Sequence, residues 1–463
     1  MNLESKIVSY CDSLKYSSID HNTREIGSHC LLDIIGVLLA GTRDPGVELL
    51  TKITEKWGGK PESRVVGRIL ALPAPATAML NGAAARVLDF DDVGDSLGTH
   101  PSVAILPALL AIADSLDRPI SREQFMTAYI AGMELSLRLS RARKETLLES
   151  GRYDLCKVIA ATAASGMLYG LTGDRLHNAL GIAYTSALGE TQCMIDGAST
   201  VFYQQGLVAS HAVKAVIFAE QGFTGAKQFL SGRWGYYSAF EPGSNLDSII
   251  DELGTTFVLD QLIAFKPYPT CRPNTSAVAL IKEMLNGQQI DINEIERIDV
   301  LTNQQIFDLV GSPVERKQVP QTVVEARFSL AYNIASVLTT GDLFIDDFTE
   351  NAIRRKDIID LSRKIYLRSA AECEIPELGT HGKIKIIIQF KDATQLKGEV
   401  SYAKGNAKNP MTLEELIDKF KKCVVYSQNA YIHKNISAIL DWILDRENHN
   451  PDYQMLANVL FPR

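Results

Sequence analysis

From Asn22 to Gln221 one pattern keeps returning: apolar residues fall at three- and four-residue spacings, and Gly, Pro, Asp and Ser punctuate the intervals. That period is the signature of amphipathic helices stacked against a common core. Ile26, Cys30, Leu31, Ile34, Ile35, Leu38 and Leu39 set it within Asn22–Leu39. The spacing predicts further helices over Met79–Leu88, Ser102–Leu116, Gln124–Leu139, Lys157–Leu171, Leu176–Leu188 and Leu207–Gln221. In one of them the apolar face is Ala160, Ala161, Ala163, Ala164 and Gly166. Side chains this small let helices approach closely, so a compact layered bundle is expected.

The pattern changes after Ile263. Phe265–Asn274 holds three prolines in ten residues, which no regular element tolerates. Beyond it Ile295–Leu301 reads as a strand, and Ile384–Phe390 with Leu396–Tyr402 reads as a hairpin around Lys391–Thr394. Helical patterns intervene at Ser276–Leu285, Glu325–Leu338 and Glu350–Ile359, and from Thr412 the chain returns to helix behind a Thr412/Glu415 capping box. The expected fold is mainly α. A large all-helical domain takes residues 1–265 and 411–463, and a smaller α+β domain takes residues 266–410. A chain of 463 residues has room for two or three domains at ~150 residues each.

Composition narrows the partners. With 47 Lys+Arg against 55 Asp+Glu, the net charge of −8 argues against nucleic acid and leaves a small molecule as the expected ligand. The N-terminal segment carries Glu4 where a signal peptide needs unbroken apolar residues, and no run approaches the ~18 apolar residues of a membrane span. A cytoplasmic location is the expectation. Seven cysteines without a CxxC pair support neither a disulfide framework nor a zinc site, and only Cys271, in a Pro/Lys/Arg-rich segment, invites a functional reading.

Polar chemistry concentrates between two apolar helices, in Asp89-Phe-Asp91-Asp92-Val-Gly-Asp95-Ser-Leu-Gly-Thr-His100-Pro101. Four carboxylates confined to one loop cannot all stay ionised if buried without a cation or donors. A His beside them is expected to have its pKa raised and its tautomer fixed, as general acid/base work requires. A solvated acidic loop is the plain alternative. Asp91-Asp92-Val-Gly-Asp95 also matches the DDxxD pattern by which prenyl-diphosphate enzymes hold Mg²⁺, although Gly94 disfavours the continuous helix this needs.

Wider blocks carry a resemblance. Asn81-Gly82 through Asp92, Thr99-His100-Pro101-Ser102, Leu106-Pro107-Ala108, Gly222-Phe-Thr-Gly225, Phe265-Lys-Pro-Tyr-Pro269 with Cys271-Arg272, and Glu325-Ala-Arg-Phe-Ser329 leading to Tyr332 together resemble the MmgE/PrpD family. The resemblance implies a helical domain with a smaller α+β lid, an active site between them, a homodimer, and no metal or organic cofactor. It implies proton transfer by His100 and Asp89, with Asp89 orienting the imidazole or a leaving hydroxyl. It places Arg272, Tyr332, Lys266 and Tyr268 at the substrate. Family positions that commonly carry Lys or His are Val201, Gln204, Asp154 and Thr275 in this chain. A pocket with fewer cations suits a substrate less anionic than citrate-like acids. The implied activity is a lyase or isomerase acting at a C–H next to a carboxylate or carbonyl, with dehydration of a 2-methylcitrate-like hydroxy acid as the default. Decarboxylation, epimerisation or cyclisation on the same fold, and a catalytically inactive binding protein, remain as alternatives.

Overall fold

A computed structural model describes all residues except Met1, Thr146, Leu155, Leu188, residues 376–382, residues 447–449 and Arg463. His21–Gly41, Ala74–Arg86, Ser102–Ser115, Arg122–Arg141, Lys157–Tyr169 and Thr200–Glu220 are the long helices of the first body. Each contains or overlaps a segment that the apolar spacing predicts. The predicted Leu176–Leu188 helix runs instead from Gly173 to Tyr184, and its expected end at Leu188 lies outside the described residues.

Small residues set the spacing between layers. Ala74–Arg86 crosses Thr200–Glu220 where Gly82 meets Gly206; a Cβ at Gly206 would lie 2.3 Å from the Met79 carbonyl oxygen. The C-terminal helix Leu413–Ser427 packs on His21–Gly41, with Phe420 against Gly36 and the Lys419 ammonium 2.6 Å from Asp33. The first core therefore joins Leu3–Phe265 to Leu416–Phe461. Among the described residues no single helix is long and apolar enough to cross a membrane.

The second core lies under a four-stranded sheet in the order Ile365–Ser369, Ile295–Thr302, Ile384–Phe390, Gln395–Val400. The first two strands are parallel and the other neighbours antiparallel. Ile384, Ile386 and Ile388 point inward at two-residue intervals, toward the helices Arg272–Leu285 and Leu330–Thr340. Two helical expectations are corrected here. Glu325–Leu338 splits into Val323–Arg327 and Leu330–Thr340, because the Ser329 hydroxyl accepts from the Tyr332 N–H and starts a new helix. Glu350–Ile359 becomes a 3₁₀ turn, Ala352–Arg354, followed by Lys356–Ser362.

The two cores interlock. Tyr153, Cys193, Met194 and Val201 leave the helical body to pack into the second core. Val93–Gly94 pairs antiparallel with Ile263–Ala264, tying the acidic loop to the segment that leads into the second unit.

Candidate active site

The acidic loop begins where a helix ends. Arg86 occupies the last turn of Ala74–Arg86, and Asp89 adopts a left-handed backbone (φ 51°) that turns the chain back toward it. Arg86 donates to Asp89 Oδ1 at 2.5 Å and reaches Asp91 Oδ1 at 3.4 Å. Lys266 Nζ, from the proline-rich segment, donates to Asp89 Oδ1 at 2.7 Å and to the Asp89 carbonyl at 3.0 Å. Asp89 Oδ2 is buried without a hydrogen-bond partner among the described residues. His100 Nδ1 lies 2.6 Å from Asp91 Oδ2, and Nε2 makes no hydrogen bond to a described residue.

Burial would raise the Asp89 carboxyl, but the Arg86 guanidinium and the Lys266 ammonium outweigh it and hold the group below its usual range. Burial also works against ionised Asp91, where His100 and Arg86 prevail and the pKa falls well below the ordinary value. The expectation of a raised histidine is reversed: burial, helped by the positive charges of Arg86 and Lys266, pulls His100 down to about 4 despite Asp91. The ring is therefore neutral at pH 7. With an ionised carboxylate at Nδ1, that nitrogen carries the proton and donates it, and Nε2 keeps its lone pair. Asp92 stands apart: burial pushes it up to about 8, and it accepts from the Ser102 hydroxyl. It supports the loop from behind.

The cleft over these groups holds about 730 Å³ free of protein atoms, including its open mouth. Arg86, Asp89, His100 and Tyr153 from the first body line it together with Lys266, Arg272, Ile306, Leu309 and Phe328 from beyond residue 265. Val93, Leu97 and Met194 add to an apolar wall. Cys271 also faces it, but burial pushes its thiol up to about 12, so it is no thiolate at neutral pH.

Of the residues picked out in the sequence, Asp89, His100, Lys266 and Arg272 come together here. Their contacts are not the ones that the resemblance implies. Asp91, not Asp89, orients the imidazole. Arg272 spends its fork on Asp95, donating at 3.0 and 2.9 Å, with Thr275 and the Lys404 carbonyl on its remaining nitrogen. It is a clamp across the cleft and has no free bidentate face for a substrate carboxylate.

The other expected contacts do not line this cleft. Tyr332 is buried in the second core, its hydroxyl donating to the Asp347 carbonyl at 2.7 Å. Tyr268 lies in a separate depression under the Lys282 ammonium. Asp154 is buried behind the wall, paired with Lys157 at 2.8 Å and accepting from Thr99 at 2.6 Å. Gln204 bonds the backbone of Glu190, and the Thr275 hydroxyl donates to the Arg272 carbonyl. Arg86 and Tyr153 were not singled out by the sequence. Arg86 ends an alanine-rich helix, where a cation is ordinary, and Tyr153 has only its neighbours Asp154 and Arg152 to mark it.

Asp89, Asp91 and His100 also have the composition and proximity of a metal site. Arg86 and Lys266 already donate to these carboxylates, so a dication would enter against two fixed positive charges. The residues present do not fit a metal ion, nor the Mg²⁺–diphosphate reading of the Asp91–Asp95 stretch.

Comparison with known proteins agrees with this architecture. The family model for the MmgE/PrpD N-terminal domain matches residues 5–249, and that for the MmgE/PrpD C-terminal domain matches residues 268–441. The cis-aconitate decarboxylase of Mus musculus is 27% identical over 447 residues, covering 91% of this chain and 87% of the relative. That of Homo sapiens is 26% identical, covering 91% and 88%. The 2-methylcitrate dehydratase of Salmonella typhimurium is 24% identical over 454 residues, covering 90% and 89%. With both domains matched in order across most of its length, the chain belongs to the MmgE/PrpD family and is a lyase of that kind.

Proposed function

We propose that the protein removes a proton from a carbon next to a carboxylate or carbonyl and expels a β-hydroxyl as water. The substrate is an acid less anionic and more apolar than citrate-like tricarboxylates. One observation carries this reading: His100 lines the cleft fixed through Nδ1 on Asp91, while Nε2 bonds to no described residue. Such a ring is built to accept a proton. Lys266 and Arg86 lie beside it on the same lining, their charges balanced by Asp89 and Asp91.

The charge balance supports the substrate class. Arg86, Lys266 and Arg272 on the lining face Asp89, Asp91 and Asp95, each bound to one or more of those cations. A tricarboxylate would bring three negative charges to a lining with none of these cations to spare, while Ile306, Leu309, Phe328 and Met194 offer apolar contact. Decarboxylation is the second reading, favoured by the relatives named cis-aconitate decarboxylase. It needs a proton delivered to carbon, which neutral His100 does not hold.

The test is a charge series in D₂O: 2-methylcitrate, citramalate and 3-hydroxyoctanoate, followed by NMR. Deuterium at the acidic carbon and alkene formation are expected, fastest with the monocarboxylate. The His100→Ala variant is expected to lose about 10²–10⁴-fold in kcat. Faster turnover of 2-methylcitrate than of the monoacid would overturn the substrate class. CO₂ release without deuterium exchange in the starting acid would favour decarboxylation, and unchanged turnover by His100→Ala would remove the base.

A further inference from the structure

An elimination that starts at His100 needs a second group, because hydroxide leaves poorly and departs far more readily as water. We infer that Tyr153 is the catalytic proton donor to the leaving hydroxyl, a role that rests on the elimination proposed above. Tyr153 lines the same cleft, with its ring centroid 6.4 Å from that of His100. It is 2% exposed and packed into the second core, so the phenol is held in place. Its hydroxyl oxygen accepts from Arg86 Nε at 3.4 Å, and its own proton is committed to no described residue. Burial raises the phenol above its ordinary range against the pull of Arg86, so the hydroxyl is protonated when substrate arrives.

Other donors on the lining are less suited. Arg86 and Lys266 are spent on Asp89, and Thr191 would have to become an alkoxide, a far stronger base than a phenolate. Arg86 serves Tyr153 a second way, since its charge lies beside the phenolate formed in the step.

The step balances without a further reactant. His100 Nε2 takes the proton and the C–H electron pair is held as an enolate; that pair then becomes the second bond of the alkene as the C–O bond breaks, and the departing oxygen takes the Tyr153 proton and leaves as water. The His100 imidazolium then returns its proton to the Tyr153 phenolate through solvent, restoring both groups.

Tyr153→Phe separates the two proton transfers. With 3-hydroxyoctanoate, loss of water is expected to fall about 100-fold, while deuterium exchange at the acidic carbon stays within about threefold of wild type. Loss of fluoride from 3-fluorooctanoate, which needs less protonation, should also be nearly retained. A merely structural tyrosine would depress all three together, and that result, or water loss at the wild-type rate, would overturn the assignment. If the phenylalanine variant fails to fold, 3-fluorotyrosine at position 153 replaces it; the more acidic phenol must then change the rate of water loss relative to deuterium exchange, and an unchanged ratio overturns the role. A wild type that neither exchanges nor eliminates overturns the elimination itself, and Tyr153's role with it.

Discussion

An imidazole that loses its charge only near pH 4 remains a competent base through the mildly acidic range where an ordinary histidine, near 6.5, is already protonated. The acid limb of kcat/KM is therefore expected near pH 4 to 5, and a limb at 6.5 would contradict the burial effect. The same shift enters stability. Between the two values the unfolded chain binds more protons, so the contribution of His100 is fully present above about 6.5 and is lost as pH falls toward 4. Asp91→Asn should lower kcat by roughly 10²- to 10⁴-fold with a small change in KM, because the amide no longer dictates which ring nitrogen carries the proton. At this scale the sequence was partly legible. The acidic loop marks Asp89 and His100, and the family resemblance adds Lys266 and Arg272. Pairing did not show: nothing in a string of aspartates says that Asp91 takes the histidine while Asp89 takes two cations. The resemblance places Tyr332 at the substrate, whereas the ring is buried and its hydroxyl is satisfied by a backbone carbonyl 15 positions away.

Among the elements, helices were readable wherever one apolar face faced one core, since the spacing itself encodes burial. Legibility failed where tertiary partners decide. Ile365–Ser369 alternates too briefly to announce a strand, and its parallel partner lies far away in sequence at Ile295–Thr302. The break at Ser329 depends on a single hydroxyl, which also donates to the Lys317 carbonyl. The helix pair that delivers Arg86 offers a direct test. Gly206→Ala would set a methyl group against the Met79 backbone carbonyl, an atom that cannot swing aside. A loss of about 1–3 kcal/mol is expected, with a lower Tm and reduced kcat as Arg86 shifts. An unchanged Tm would show that the layers can part at no cost.

Across the whole molecule, buried ion pairs join the two units: Lys266 to Asp89 and Arg272 to Asp95, with Asn406 completing the second. Removing one partner strands a charge, so Arg272→Ala should lower stability by about 3–5 kcal/mol in urea unfolding, while replacing both partners with apolar residues should cost much less. Equal losses in the single and double variants would mean that the pair is not what holds this junction. The two-core plan was visible as a change of pattern near residue 263, yet the crossing of Tyr153, Cys193, Met194 and Val201 into the second core was not. No periodicity records which core a side chain will choose.

The return of Leu413–Ser427 to the His21–Gly41 helix sets a timetable for biogenesis. As the chain leaves the ribosome, the earliest helices cannot finish closing, because Phe420, Cys423 and Val424 arrive only after the whole α+β unit has been made. The face that receives them stays open until that unit has left the ribosome. Until then the nascent chain exposes an apolar helix face of the kind that aggregates, and its first core closes only once the second unit is complete.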